Sequence, residues 1–359
     1  MATRRLSTVW AMLMTALPLL SLAGAPARIT PSDPSPLATA SELIERQFSP
    51  LEAFRLQEKV RSLGLKDAFH IDLAAERLLV RAPAKTPADG RYGLIVFLDS
   101  RKQTRFDFEW DNVLDSHGVI FVSPDNAGDD ASALDRRIPL ALDAVEYARR
   151  FYKLDPDRIY IAGVGGGSRI AERLAVSYPE VFTAAIMNSG AVEIGTQELP
   201  APAQDSLTRL RTHSRLAFLS AFQDQPAFAE QRRALESLRK YCMPVAGVWE
   251  NGHTIAGHPT IDGRLLSDIL NIFEAPRGAK EQPQPGCEAT FRGGALSALA
   301  NIRQLDADGR RDEALKALVT FDHAYGRLFV DEEVALAKKL NPGFFAPTAP
   351  SGSSSPGSH

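Results

Sequence analysis

The sequence predicts an α/β protein: a mostly parallel sheet flanked by helices, followed by a small all-helical unit. Two observations carry this. From Gly93 to Phe273, short apolar strands alternate with helical stretches, the signature of parallel βαβ units. After a Pro/Gly-rich break, Phe291–Leu305 and Asp312–Tyr325 then carry apolar residues at helical spacing, split by Asp308-Gly309-Arg310.

Taken in order, Ser41–Leu63 reads as a helix closed by Gly64, and Phe69–Leu73 with Arg77–Arg81 as a hairpin. Leu94–Leu98 (LIVFL) and Val119–Ser123 (VIFVS) are continuous apolar runs, as expected of strands buried on both faces. Trp110–Ser116 and Leu134–Phe151 read as helices around the second of them. Arg158–Val164 is a strand with a helix to Tyr178, and Thr183–Asn188 is a strand leading into a long loop. Leu216–Ala221 is a strand followed by the helix Ala227–Tyr241. Val245–Trp249 is a strand followed by the helix Asp262–Phe273. About six core strands result. A third C-terminal helix spans Asp331–Leu340; the helical pair before it is like one tetratricopeptide-type unit, and a single copy does not make a repeat.

The chain has 359 residues, with 41 lysines and arginines against 44 aspartates and glutamates, a formal net charge of -3. That balance excludes nucleic acid or an anionic membrane as the main electrostatic partner. Two cysteines exclude a disulfide-dense scaffold and a four-cysteine zinc site; no metal-ligand spacing and no phosphate loop ending in Gly-Lys-Ser/Thr occur, so no metal and no cofactor are expected.

The start MATRRLSTVWAMLMTALPLLSLAGAPA reads as a secretory signal peptide. Arg4 and Arg5 are its basic end, Leu6–Leu22 its apolar run, and Ala25-Pro26-Ala27 a small-x-small cleavage site. The rival, a membrane anchor, needs about 20 apolar residues, and Pro18 interrupts this run. The mature chain is therefore expected to begin at Arg28, with no stable membrane anchor, in the periplasm or outside the cell. In such a compartment Cys242 and Cys287 are expected to pair. Cys242 precedes a strand, and the helix Asp262–Phe273 runs back toward that strand's starting end, which brings Cys287 close. The implied organisation is a signal peptide (1–27), a disordered Pro/Ser-rich linker (28–40), an α/β domain (41–275), a linker (276–289), a helical unit (290–341) offering a surface for a protein partner, and a disordered tail (342–359).

The most informative segment is Tyr160-Ile-Ala-Gly163-Val-Gly165-Gly166-Gly167-Ser168-Arg169, preceded by LDPDRIY and followed by RLAVSYPEVF. With these flanks it resembles the secreted esterase and polyhydroxybutyrate-depolymerase branch of the α/β-hydrolase superfamily, which includes feruloyl-esterase-like enzymes. The resemblance covers roughly Gly93 to Phe273. It implies an α/β-hydrolase fold, hydrolysis of a small ester-like or polymeric substrate, and a nucleophile on a G-x-S-x-G elbow, a strained strand-to-helix turn. Aligned on that pattern, Gly163 and Gly167 are the outer glycines, and the serine position is Gly165, which has no attacking atom. The resemblance places the acid at Asp224, whose alternative role is to cap the helix that follows, and the histidine at His253, with His258 as the alternative. His117 reads as a helix-end residue, and His70, His213 and His323 receive no role. The oxyanion donors implied are the Gly166 N–H and an N–H from the loop Asp99-Ser100-Arg101-Lys102, where an ionised Asp99 would oppose an oxyanion unless Arg101 offsets it.

Three functions remain open. The first is a non-catalytic relative that binds a ligand or partner. The second is an active hydrolase using Ser168, which otherwise reads as a helix N-terminal serine, or another nucleophile. The third is a dinucleotide-binding protein through Gly163–Ser168, in which Ser168 replaces the third glycine of G-x-G-x-x-G and no acidic residue follows the next strand.

Overall fold

The computed structural model describes residues 24–64, 71–251, 254–255, 258–278 and 281–345. The apolar runs become a sheet of eight strands. In chain order these are β1 (Ala27–Ile29), β2 (Leu78–Arg81), β3 (Tyr92–Leu98), β4 (Val119–Pro124), β5 (Leu154–Val164), β6 (Ala184–Asn188), β7 (Arg215–Ala221) and β8 (Gly247–Asn251). Their spatial order is β1-β2-β4-β3-β5-β6-β7-β8. The strands from β4 to β8 in that order are parallel; β2 is antiparallel to β4, and β1 to β2. A separate two-stranded ribbon pairs β9 (Thr254–Ile255) with β10 (His258–Pro259).

Alternation along the strands builds two cores. Leu94, Val96 and Leu98 of β3 join a core with residues of α4 (Ile138–Phe151), α5 (Gly166–Ser177) and α7 (Gln225–Lys240). Ile95, one residue out of phase, faces the opposite core with α3 (Asp111–His117) and α8 (Gly263–Glu274). The helices after β3 and β5 thus lie on opposite faces although the strands are neighbours, with Leu98 paired to Gly163. Such a switch point opens a crevice at the carboxyl ends of the two strands, and that is where ligands bind in open α/β sheets.

Several elements differ from the sequence reading. The helix expected over 41–63 is two, α1 (Ala40–Gln47) and α2 (Pro50–Ser62), because Pro50 forces Ser49 to be extended and starts a new helix. The hairpin does not form. Phe69 and His70 lie outside the described residues, Leu73–Ala75 is a short 3-10 turn, and the 77–81 segment becomes β2, paired with β1 and β4. The stretch after Asn188 contains a helix, α6 (Gln204–Thr212).

Residues 28–40, expected to be a disordered linker, are instead tied to the sheet and to α4. Arg28 Nε pairs with Asp125 Oδ2 at 2.7 Å, and the Ser35 N–H donates to Asp143 Oδ1 at 2.6 Å. The expected linker at 276–289 is also anchored where it is described, by the Arg215–Glu281 pair at 2.8 Å. Among the described residues, no helix is long and apolar enough to cross a membrane.

The C-terminal helices are α9 (Cys287–Ala307), α10 (Arg311–Tyr325) and α11 (Val330–Leu340). Their core includes Leu51 of α2, so the N-terminal helix packs with the C-terminal unit. The Ser49 side chain makes no capping bond to α2. Asp322 of α10 supplies one instead, accepting the Leu51 N–H at 3.1 Å and the Ser49 hydroxyl at 2.5 Å. A disulfide joins Cys242, just after α7, to Cys287 at the start of α9, across 45 residues. By loop entropy such a link is worth about 4 kcal/mol. Replacing both cysteines by serine is expected to lower unfolding stability by about 3–4 kcal/mol in urea titrations; a loss below about 1 kcal/mol would mean that packing alone holds α9 in place.

Candidate functional site

The crevice is built around the turn from β5 into α5. Gly165 sits there at φ 59° and ψ −123°, in the positive-φ region that favours glycine. Backbone crowds the turn on several sides. A Cβ on Gly163 would strike the Gly167 carbonyl, one on Gly167 would strike the Leu98 carbonyl of β3, and one on Gly190 would strike the Gly165 carbonyl. The Gly165 N–H donates to Asn188 O at 2.9 Å, and the Ser168 N–H to Gly165 O at 3.1 Å. This is the strand-turn-helix of a nucleophile elbow, and the residue at its tip is glycine.

Ser168, the alternative nucleophile, lies in the first turn of α5. It is fully buried, and its hydroxyl donates to the Gly190 carbonyl. At the same helix end, where the dinucleotide reading would place a pyrophosphate, the Gly166 N–H faces the Asp129 carboxylate, with Oδ2 at 3.4 Å.

Asp99 is buried and held by Arg101 through three groups: the backbone N–H (3.0 Å to Oδ1), Nε (3.0 Å to Oδ1) and Nη2 (2.7 Å to Oδ2). Arg101 therefore does offset its charge. Asp224 is half-buried just beyond β7, and its Oδ1 accepts the Ala227 N–H at 3.3 Å, capping α7. His253 lies outside the described residues. The strand before it ends at Asn251, paired with Ala221, so β7 and β8 end side by side. His258 belongs to the backbone of β10. His117 ends α3 with Gly118 at φ 60°, and its Nδ1 lies 2.8 Å from Glu274 Oε2.

Residues 127–230 match the family model described as Esterase PHB depolymerase. Over that segment the chain, with its α/β-hydrolase fold, carries a sequence similarity to these esterases. Among solved structures it is similar to a thermostable esterase (19% identity, 49% of this chain and 51% of that one, TM-score 0.38). It is also similar to a ferulic acid esterase (15%, 56% and 92%, TM-score 0.42) and to an acylaminoacyl peptidase from Pyrococcus horikoshii (14%, 58% and 41%, TM-score 0.41). The chain spans about half the length of the thermostable esterase and less of the peptidase. No curated protein matches it.

Two residues near the turn from β5 into α5 carried no signal in the sequence. Asp129 lies in a loop, NAGDDA, that fits no motif. Glu172 stands nearly two turns into α5 and is fully buried; the Val192 N–H donates to its Oε2 at 2.6 Å, and Oε1 takes no hydrogen bond among the described residues. Beside α5 opens a polar cleft of about 490 Å³, lined by Arg169, Glu193, Glu198, Glu230 and Arg233 among others. Arg169 is clamped there by Glu230, at 2.6 and 3.1 Å.

Burial pushes the Glu172 carboxyl from its ordinary 4.5 up to about 8, against the opposing hydrogen bond from Val192. The folded state thus holds this proton more tightly than the unfolded chain. The stability it confers is complete below about pH 4.5 and is lost as pH rises through about 8. Asp143, pushed up to about 6, acts in the same sense over a lower window. In urea titrations across pH 5–9, Glu172→Gln is expected to flatten the decline seen in the native protein; identical slopes would rule Glu172 out as its source.

Proposed function

We propose that this chain is an exported, non-catalytic member of the esterase-like α/β-hydrolases, which binds an ester-like small molecule or polymer at the β3/β5 crevice without cleaving it. The observation that carries the reading is Gly165 at the tip of the elbow. Acyl transfer needs an atom there to attack the carbonyl and a base to take its proton. Asp224 and His253 stand where the acid and base belong in the chain order of the superfamily, but the attacking atom is missing. In a serine protease, removing the nucleophile costs about 10⁶ in kcat.

Export is supported by Arg4-Arg5, the apolar run and Ala25-x-Ala27, together with the disulfide, which suits an oxidising compartment. A cut after Ala27 would leave Arg28 and Ile29 to pair with Leu79 and Leu78. The mature protein is expected to begin at Arg28, and N-terminal sequencing of exported material checks this. Intact Met1 on soluble cytosolic protein would overturn it.

The native protein is expected to show no labelling by a fluorophosphonate probe. A short-chain p-nitrophenyl ester should raise its melting temperature and be recovered intact. Probe labelling or turnover that disappears in Ser168→Ala would overturn the non-catalytic reading. An unmoved melting temperature at millimolar ester would overturn the binding.

A further inference from the structure

The Gly166 N–H is the backbone group that must be empty for an oxyanion to form at an elbow. Here three elements converge to fill it. The loop after β4 folds onto the loop after β3: the Asn126 N–H donates to Lys102 O at 2.7 Å, and the Asp129 N–H to Ser100 O at 2.9 Å. Gly128 makes this approach possible, since a Cβ there would lie 2.7 Å from the backbone of Arg101 and Lys102. The loop delivers the Asp129 carboxylate to the first turn of α5, so close that a Cβ on Gly166 would collide with it. Arg137, on the turn leading into α4, also holds the carboxylate, with Nη2 3.0 Å from Oδ1. Its own side chain is only 6% exposed, whereas that of Asp129 is 47% exposed.

We infer that Asp129 is a built-in occupant of the oxyanion position, so that the site is closed to acyl transfer a second time, independently of the glycine at 165. The inference rests on the elbow reading above and deepens it. A substrate oxyanion would have to displace a carboxylate that already lies 3.4 Å from the Gly166 nitrogen and already has its counter-ion in Arg137. The Asp129–Arg137 pair is close to neutral, so it offers an incoming anion little attraction, while a displaced Asp129 nearby would repel it. The loop after β3 repeats the pattern, with the Arg101 N–H turned onto Asp99. At both places, the start of α5 and the loop after β3, a backbone donor faces one of the protein's own carboxylates. In an active hydrolase, losing one oxyanion donor costs about 10²–10³ in kcat.

The test reads the contact directly and then its consequence. In amide NMR, Asp129→Ala is expected to move the Gly166 N–H upfield and speed its hydrogen exchange; an unmoved resonance with unchanged exchange overturns the inference. Because Arg137 would then be buried without its partner, the same comparison is made in Asp129→Ala/Arg137→Met, which removes both charges. Fluorophosphonate labelling next compares Gly165→Ser with Gly165→Ser/Asp129→Ala. At least a tenfold faster rate in the double variant is expected, and equal measurable rates overturn the lock. If neither variant labels, the Gly166 amide comparison decides. Labelling of the native chain would overturn the non-catalytic reading and leave the Gly166 result untouched, so the two failures are distinguishable.

Discussion

The turn at Gly165 constrains everything built around it. A strand buried on both faces must reverse into a helix within one residue, and the neighbouring backbones of β3 and β6 press on that turn. Positive φ at the tip and collisions at positions 163, 167 and 190 leave glycine as the residue that fits without rearrangement. A serine can occupy the tip of such a turn only under strain, and proteins carry strain of this kind where chemistry uses it. With glycine at the tip the turn keeps its shape at lower cost. The backbone thus holds a tight strand-to-helix turn with no side chain at its tip.

The same turn leaves α5 with a positive end facing the crevice. Gly165 as the N-cap has no side chain to satisfy the first N–H groups, so a carboxylate from elsewhere is stabilised there. Asp129 meets that need from a loop 37 residues upstream. The contact therefore has a structural cause as well as a consequence for chemistry. It caps a helix whose own cap is missing, and in doing so it takes the donor that catalysis would use.

The alternating pattern exposed the parallel strands and most helices, because strands buried on both faces read as continuous apolar runs whatever their partners. The glycine-rich turn between β5 and α5 was legible from Gly163, Gly165 and Gly167 together with the segments that flank them. What stayed hidden depends on contacts distant in sequence. Strand Leu78–Arg81 finds β1 and β4 rather than the segment before it, and no local signal distinguishes these partners. Helix α6 is short and largely polar, so its apolar face, Leu207 and Leu210, is too sparse to register. The 28–40 segment lacks periodicity, yet Asp143 and Asp125 hold it in place. Asp129 and Glu172 are ordinary acidic residues until the fold sets one on a helix N-terminus and buries the other.

The C-terminal unit shows the same logic at a larger scale. Asp322 caps α2 from 273 residues away, and Glu333 of α11 is fully buried beside it, both carboxyls crowding Gly326. Two buried carboxylates in one small space cannot both remain ionised at neutral pH. Asp322 accepts two hydrogen bonds, from Ser49 and Leu51, which favour its charged form, whereas neither Glu333 oxygen takes one from an N–H or hydroxyl among the described residues. Burial and the neighbouring Asp322 push the Glu333 carboxyl up to about 10, so the proton resides there. The charge on Asp322 is thereby kept for α2. Docking of the helical unit rests on the Asp322 cap, the apolar contact through Leu51 and the disulfide. Because α2 contributes to that core, the unit's stability cannot be separated from the N-terminal segment it grips.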